Sequence, residues 1–292
     1  MAAAELSEWI GRVETREVAL ATAIMRQLAA TVPECGLAPE DVAPGVELPA
    51  LWHWAAVQPT VAMDELGPDG HPRLGGFLPP VDLGRRMWAG SRVELLAPMR
   101  VDETVSWRSE IRDIQEKQGG AGRMVFVTVG HEVAGAAGPA VREEQDIVYL
   151  PMPDRYRPPE PKPAPDSPDF DERVAIDTPR LFRYSAVTFN AHRIHYDRPY
   201  ATEVEKYPGL VVHAPLQATL LLGAAIRHKG SVPRHFRFRG VHPMFDSHDL
   251  RLIGVDDGDG LELCTAAPDG HQGLKARADW AGHGSGAPGG GS

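Results

Sequence analysis

Apolar residues recur along this chain in two rhythms, and the order of the rhythms is repeated. Residues 5–32 place Ile10, Val13, Leu20, Ile24 and Leu28 at roughly helical spacing, and residues 48–57 form a shorter, very apolar stretch, so two helices are expected first. The rhythm then changes. Residues 92–101, 105–114, 124–133 and 141–150 are rich in β-formers and are separated by turn signals such as Gln118-Gly-Gly-Ala-Gly and Gly135-Ala-Ala-Gly-Pro, which predicts an antiparallel meander. The second half runs the same course: an irregular polar stretch, an apolar helix over 215–228, then strands near 234–245, 249–255, 261–266 and 273–280, with Asp256-Asp-Gly-Asp-Gly and Pro268-Asp-Gly as hairpin turns. A short echo joins the halves, because Pro98-Met99 ahead of Val101-Asp-Glu-Thr resembles Pro243-Met244 ahead of Asp246-Ser-His-Asp. The repeated order suggests a duplicated α+β unit in which each sheet wraps a central apolar helix.

Residues 151–168 divide the halves. Eight prolines there alternate with charged and small residues, so no backbone ladder can propagate and an extended connector is expected. The organisation is therefore a first unit over 1–150, a connector over 151–168, a second unit over 169–280, and a glycine- and serine-rich tail over 281–292 whose composition predicts disorder.

Composition narrows the partners. With 292 residues, 42% of them apolar, the chain has ample material for a large core. A formal net charge of −10 excludes the concentrated basic face that a nucleic acid or an anionic membrane requires, leaving a small molecule as the expected partner. Cys35 and Cys264 are far apart and lack metal-ligand spacing, so neither a disulfide framework nor a zinc knuckle is encoded, in keeping with a reducing, cytoplasmic setting. Glu5, Glu8, Glu14 and Glu17 stand where a signal peptide needs a basic and then an apolar run, and nowhere do about 18 apolar residues run uninterrupted, so a soluble protein is expected.

Reactive side chains concentrate in Arg183-Tyr-Ser-Ala-Val-Thr-Phe-Asn-Ala-His-Arg-Ile-His-Tyr-Asp197 and in Tyr207-Pro-Gly-Leu-Val-Val-His-Ala-Pro-Leu216. These segments resemble the MaoC-like, or type 2, hydratases of the hotdog fold, whose motif runs Asp, any residue, Asn, Pro, an apolar residue, His. His195 falls on the final histidine and Ile194 on the apolar residue, while Gly209-Leu-Val-Val-His-Ala214 resembles the segment that opens the family's central helix. The departures are specific: Asn190 stands for the aspartate, His192 for the asparagine, Arg193 for the proline and Ala214 for a glycine. The run Phe182 to Asp197, with Phe77-Leu-Pro-Pro-Val-Asp-Leu-Gly-Arg-Arg-Met-Trp-Ala-Gly in the first half, is similar to mesaconyl-C4-CoA and itaconyl-CoA hydratases and to mitochondrial type 2 hydroxyacyl-thioester dehydratases.

The resemblance implies an α+β double hotdog with one active site, in the second unit, that reversibly hydrates an α,β-unsaturated acyl-CoA, with no cofactor beyond the coenzyme A of the substrate and with a homodimer as a possible assembly. Hydration needs a base for the attacking water, a proton for the α-carbon and a donor to the enolate-like thioester oxygen. His195 is the expected base and acid. Asn190 cannot take a proton, so its amide is expected to orient the water. The Ala214 N–H, at a positive helix end, is the expected donor to the thioester oxygen. His192 is open between lining the pocket, orienting His195 and facing solvent, and His213 is read as packing at the helix entrance. A metal on His192, His195 and Asp197 lacks a further ligand pattern, and none is expected. Arg193 either forks onto a second carboxylate of a mesaconyl- or itaconyl-type substrate or pairs with Asp197. Arg85 and Arg86 either meet coenzyme A phosphates or form a solvated pair. Other readings are a 3-hydroxyacyl-thioester dehydratase of fatty-acid synthesis, a thioesterase, which lacks the carboxylate it needs at 190, and a silent acyl-thioester-binding subunit.

Overall fold

The computed structural model describes residues 3–56, 58–120 and 122–280. The tail expected over 281–292 lies outside them. Ten strands form one antiparallel sheet. They are β1 (Val13–Ala19), β2 (Arg85–Leu95), β3 (Thr104–Gly119), β4 (Gly122–Gly135), β5 (Gly138–Leu150), β6 (Phe170–Val174), β7 (His235–Gly240), β8 (Leu250–Asp256), β9 (Gly260–Ala266) and β10 (Gln272–Asp279). Their order is β1-β3-β4-β5-β2-β7-β10-β9-β8-β6, so the two halves of the chain meet where β2 pairs with β7. The connector carries no ladder, only an isolated bridge from Pro163 to His271.

The helices are α1 (Ala3–Ser7), α2 (Thr22–Ala29), α3 (Thr178–Val187) and α4 (Ala214–Lys229). The helix α4 is buried almost all round, from Leu216 to Ala225, because its apolar residues occupy every face rather than one stripe. Pro215 opens it and Gly230, at φ 74°, closes it in the left-handed conformation that glycine adopts without strain. It packs on β8, β9 and β10 of its own half and reaches β2 and β7. Among the described residues no helix is long and apolar enough to cross a membrane.

Two expectations for the first half are corrected. The helix over 5–32 is split, because Val13-Glu-Thr-Arg-Glu-Val-Ala alternates with period two and pairs residue by residue with β3, Val13 opposite Glu110 through Ala19 opposite Thr104. The helical spacing of Ile10, Val13 and Leu20 was coincidence between elements, and Gly11 at φ 85° breaks the chain between α1 and β1. Of the apolar stretch expected as a helix over 48–57, the described residues form only a short 3-10 turn, Trp52–Ala56, so among the described residues this half has no counterpart of α4. The second half also holds β6 and α3 where an irregular stretch was expected.

The echo between the halves has a structural basis. The Leu48 N–H donates to the Met99 carbonyl at 2.8 Å, and the Val212 N–H donates to the Met244 carbonyl at 2.8 Å. Glu47 bridges Arg100 as Val211 bridges Phe245. After the second of these bridges the chain enters α4. After the first it turns at Leu51, at φ 70°, into the 3-10 segment. A cavity of about 1420 Å³ is lined by residues of both halves.

Candidate active site

The segment leaving α3 is folded by its own polar side chains. Thr188 Oγ bonds back to the Tyr184 carbonyl at 2.6 Å, Phe189 turns the chain at φ 52°, and the Asn190 N–H donates to the Ser185 carbonyl at 2.8 Å. Asn190 Oδ1 then accepts the His192 N–H at 3.0 Å, an Asx turn that aims the short Arg193–His195 3-10 turn. The Val211 N–H donates to the Ile194 carbonyl at 3.0 Å, which brings the strand-like entrance of α4 alongside.

This pairing fixes His195. Its Nδ1 lies 2.7 Å from the Val211 carbonyl, so that nitrogen carries the proton and Nε2 keeps its lone pair. The ring lines the cavity. Burial first, and then the neighbouring His213 and His192, hold its pKa well below the usual histidine range, so the ring is neutral near pH 7 and can accept a proton. His213 stacks on it with ring centroids 3.6 Å apart and 19° between planes, and bonds the Ser185 hydroxyl through Nε2 at 2.8 Å. His213 is fully buried and does not line the cavity; it is the floor under His195.

His192 lies edge-on to His195 with centroids 5.3 Å apart, and its Nε2 is 3.4 Å from Glu205. Glu205, itself buried, lies 3.3 Å from Arg85 Nε, and Arg85 also bonds the Tyr207 hydroxyl. Asn190, His192, His195, Glu205, Arg85, Arg86 and Ala214 all line the cavity. Ala214 is the first residue of α4, and among the described residues no acceptor takes its N–H, as befits an orphan donor of the first helical turn. A base with a lone pair and a backbone donor at a positive helix end thus line the same cavity.

Of the residues that the resemblance puts at the substrate, Gly209 and Arg193, like His213, do not line the cavity. Gly209 is buried beside Asp246, and a Cβ there would lie 2.9 Å from the Asp246 carboxylate, so the glycine serves packing. Arg193 bonds Asp197 through Nε at 2.9 Å and Nη2 at 2.7 Å, donates through Nη1 to the Pro68 carbonyl at 3.0 Å, and lies over the Tyr200 ring. Its guanidinium is spent on holding the loop, which is the pairing reading of the sequence. Arg193→Met is accordingly expected to lower Tm by a few degrees, for the loss of about 1 kcal/mol, and to change kcat/KM for dicarboxylyl and simple enoyl thioesters by the same factor. A loss confined to dicarboxylyl substrates would refute this placement.

The fold also gathers residues whose part the sequence hid. Asp69 and His71, from the first half, sit against the second: the His71 ring is 4.1 Å from that of His192, and its Nδ1 is 2.8 Å from Asp69 Oδ2. Asp69, His71 and His192 are the one group among the described residues whose ligand-type atoms gather within 4.8 Å and could hold a metal ion. The set weighed from sequence, His192, His195 and Asp197, is not gathered, since Asp197 is held by Arg193 and His195 Nδ1 by Val211. The cavity is also lined by Ser109, bonded to the half-buried His131, and by the buried Glu143, whose carboxyl burial pushes up to about 7 although Ser91 and Trp54 donate to it.

Residues 51–246 match the family described as hydroxyacyl-thioester dehydratase type 2. The chain belongs to this family. It is 41% identical over 283 residues to mesaconyl-C(4)-CoA hydratase of Chloroflexus aurantiacus, covering 97% of this chain and all of that protein. Among solved structures it resembles a MaoC-like dehydratase of Phytophthora capsici (TM-score 0.69, 12% identity, 97% of this chain and 100% of that one). It also resembles a Mycobacterium tuberculosis protein with a double hotdog fold (TM-score 0.59, 13% identity, 92% and 95% covered). The fold is therefore a double hotdog, and the residues matched by the family include Asn190 and His195.

Proposed function

We propose that this type 2 dehydratase adds water reversibly across the double bond of an enoyl-CoA, with His195 as the base and acid and the Ala214 N–H as the donor to the thioester oxygen. The observation that carries the reading is the His195 hydrogen bond to Val211, which leaves Nε2 as a lone pair in the cavity that Ala214, with the first N–H of α4, also lines. Water gives a proton to His195 Nε2 as its oxygen bonds the β-carbon. The π electrons shift towards the thioester oxygen, where the N–H and the helix end stabilise the charge, and the α-carbon then takes the proton back from His195. Acyl-CoA and water suffice; no further cofactor enters.

The substrate we favour is a short branched dicarboxylyl thioester of the mesaconyl-C4 or itaconyl type. A relative that is similar over its full length carries the first of these in its name, and the cavity offers a cation beside the histidines. With Arg193 committed elsewhere, Arg85 is that cation: its Nη1 has no partner among the described residues, and it is braced by Glu205 and Tyr207. Arg155 and Arg157 of the connector also line the cavity, exposed, where they suit the phosphates of coenzyme A. The test is a panel of mesaconyl-C4-, itaconyl- and crotonyl-CoA, followed by loss of the conjugated-thioester absorbance and by mass analysis for added water. Arg85→Lys, which keeps a cation beside Glu205 but removes the guanidinium fork, is expected to cut kcat/KM for the dicarboxylyl substrates by tenfold or more and for crotonyl-CoA by less than threefold. Preference for crotonyl-CoA with no effect of Arg85→Lys would overturn the dicarboxylyl assignment.

A further inference from the structure

The type 2 motif has an aspartate where this chain has Asn190, and the loss leaves the attacking water one acceptor short. Water has two O–H bonds. His195 Nε2 can take one proton, and the second hydrogen needs an acceptor if the oxygen lone pair is to point at the β-carbon. Asn190 lacks the second oxygen of a carboxylate. Its one amide oxygen already accepts the His192 N–H at 3.0 Å, and the other end of the amide offers only N–H donors.

The first half of the chain brings an acceptor to the same cavity. The loop over 67–72 closes on itself through the Gly67 N–H to the His71 carbonyl at 2.7 Å. It is fastened to the motif by the Arg193 N–H on the Asp69 carbonyl at 2.9 Å and by Arg193 Nη1 on Pro68. Gly70 makes that seat possible: at φ 87° it faces Ala191, whose carbonyl oxygen would lie 1.8 Å from any Cβ. Asp69 in turn grips His71 at both ends, Oδ1 accepting its backbone N–H at 3.1 Å and Oδ2 lying 2.8 Å from Nδ1. The carboxylate fixes the proton on Nδ1 and leaves Nε2 as a lone pair, while the ring lines the cavity. Burial, His192 and Arg86 keep the ring neutral, and the His71 N–H keeps Asp69 ionised, well below the usual carboxylate range.

We propose that His71, oriented by Asp69, accepts a hydrogen bond from the attacking water through Nε2 and so restores from the first half of the chain the acceptor that Asn190 does not provide. This rests on the hydratase reading above. The balance is simple: one water proton passes to His195 Nε2 and on to the α-carbon, the oxygen and its second hydrogen stay on the β-carbon as hydroxyl, and His71 ends as it began, neutral. His71 is a water-positioning residue and undergoes no net protonation.

The test is the hydration assay on the full chain with wild type, His71→Ala, His71→Gln and Asp69→Asn side by side. His71→Ala is expected to lower kcat about 100-fold with KM within threefold, and added imidazole, filling the vacated ring site, to recover at least tenfold. His71→Gln, which offers an amide oxygen, should fall between Ala and wild type, and Asp69→Asn should lose roughly tenfold as the ring loses its fixed tautomer. A folded His71→Ala enzyme with kcat within threefold of wild type overturns the proposal. So does a loss that imidazole leaves unchanged and glutamine shares in full, the pattern of a mere wall residue. Activity that a chelator abolishes and Zn(II) restores also overturns it, in favour of a metal on Asp69, His71 and His192. If the alanine variant does not fold, the glutamine and asparagine variants carry the same decision through kcat against KM. A silent wild type refutes the hydratase reading and this one with it, whereas an active wild type beside an active His71→Ala refutes this one alone.

Discussion

His195→Gln is expected to lower hydration turnover by roughly 10² to 10⁴ while the protein folds and melts near the wild-type temperature. The substitution is chosen because the glutamine amide can still donate to the Val211 carbonyl, which His195 Nδ1 now faces at 2.7 Å, and can still lie against the His213 ring. What it removes is the one atom of consequence, a basic Nε2. No neighbour takes over: His213 is spent on Ser185 and lies behind the wall, and His192 faces Glu205. The remaining rate would come from the α4 terminus and from Asn190 and His71, which orient but do not carry the proton. Turnover within threefold of wild type, in a variant whose circular dichroism and Tm are unchanged, would remove His195 from the mechanism.

How much of this was readable from sequence follows from the range over which each signal acts. The strands of both meanders and the helix α4 were legible because alternation and apolar runs are local. Within the motif, Asn190, His192, His195 and Ala214 could be placed together because the chain itself brings them there, through an Asx turn and one bridge between Ile194 and Val211. Arg193 was ambiguous for the opposite reason. Its partner Asp197 is visible four residues on, but the Pro68 carbonyl that engages its Nη1 is 125 positions away. The same distance hid Asp69 and His71. Gly67-Pro-Asp-Gly-His71 reads as an ordinary turn, and the only available clue was a histidine two residues after an aspartate. The missing helix of the first half failed differently: Trp52-His-Trp-Ala-Ala is apolar enough for one, but it sets His53 against Trp107 of β3 and Trp54 on Glu143 of β5 instead of continuing.

That histidine leads to the second large effect, on stability. His53, His71 and His213 are held down to about 3, His131 to about 4 and His195 well below the ordinary value, with burial as the leading cause in each. A histidine whose folded pKa is depressed binds its proton first in the unfolded chain, so stability is full above pH 6.5 and is lost as pH falls towards the folded value. Glu143 works the other way: raised to about 7, it favours the folded state increasingly as pH falls from 7 towards 4.5. Five groups against one decide the sign. At pH 5.5 each histidine costs about 1.4 kcal/mol relative to neutral pH and Glu143 returns somewhat more than one such amount, so the net loss is on the order of 5 kcal/mol. For a chain of this size the expected fall in Tm between pH 7.5 and 5.5 is about 10 °C or more, measured by scanning calorimetry at constant ionic strength. His53 isolates the effect, since neither of its ring nitrogens is hydrogen-bonded among the described residues and it does not line the cavity. His53→Leu should therefore raise Tm at pH 5.5 by several degrees more than at pH 7.5, because it removes one proton uptake along with two buried polar atoms. A Tm that is flat from pH 7.5 to 5.5, or a His53→Leu gain that is equal at both, would show that these rings are hydrated in solution and exchange protons freely in the folded state.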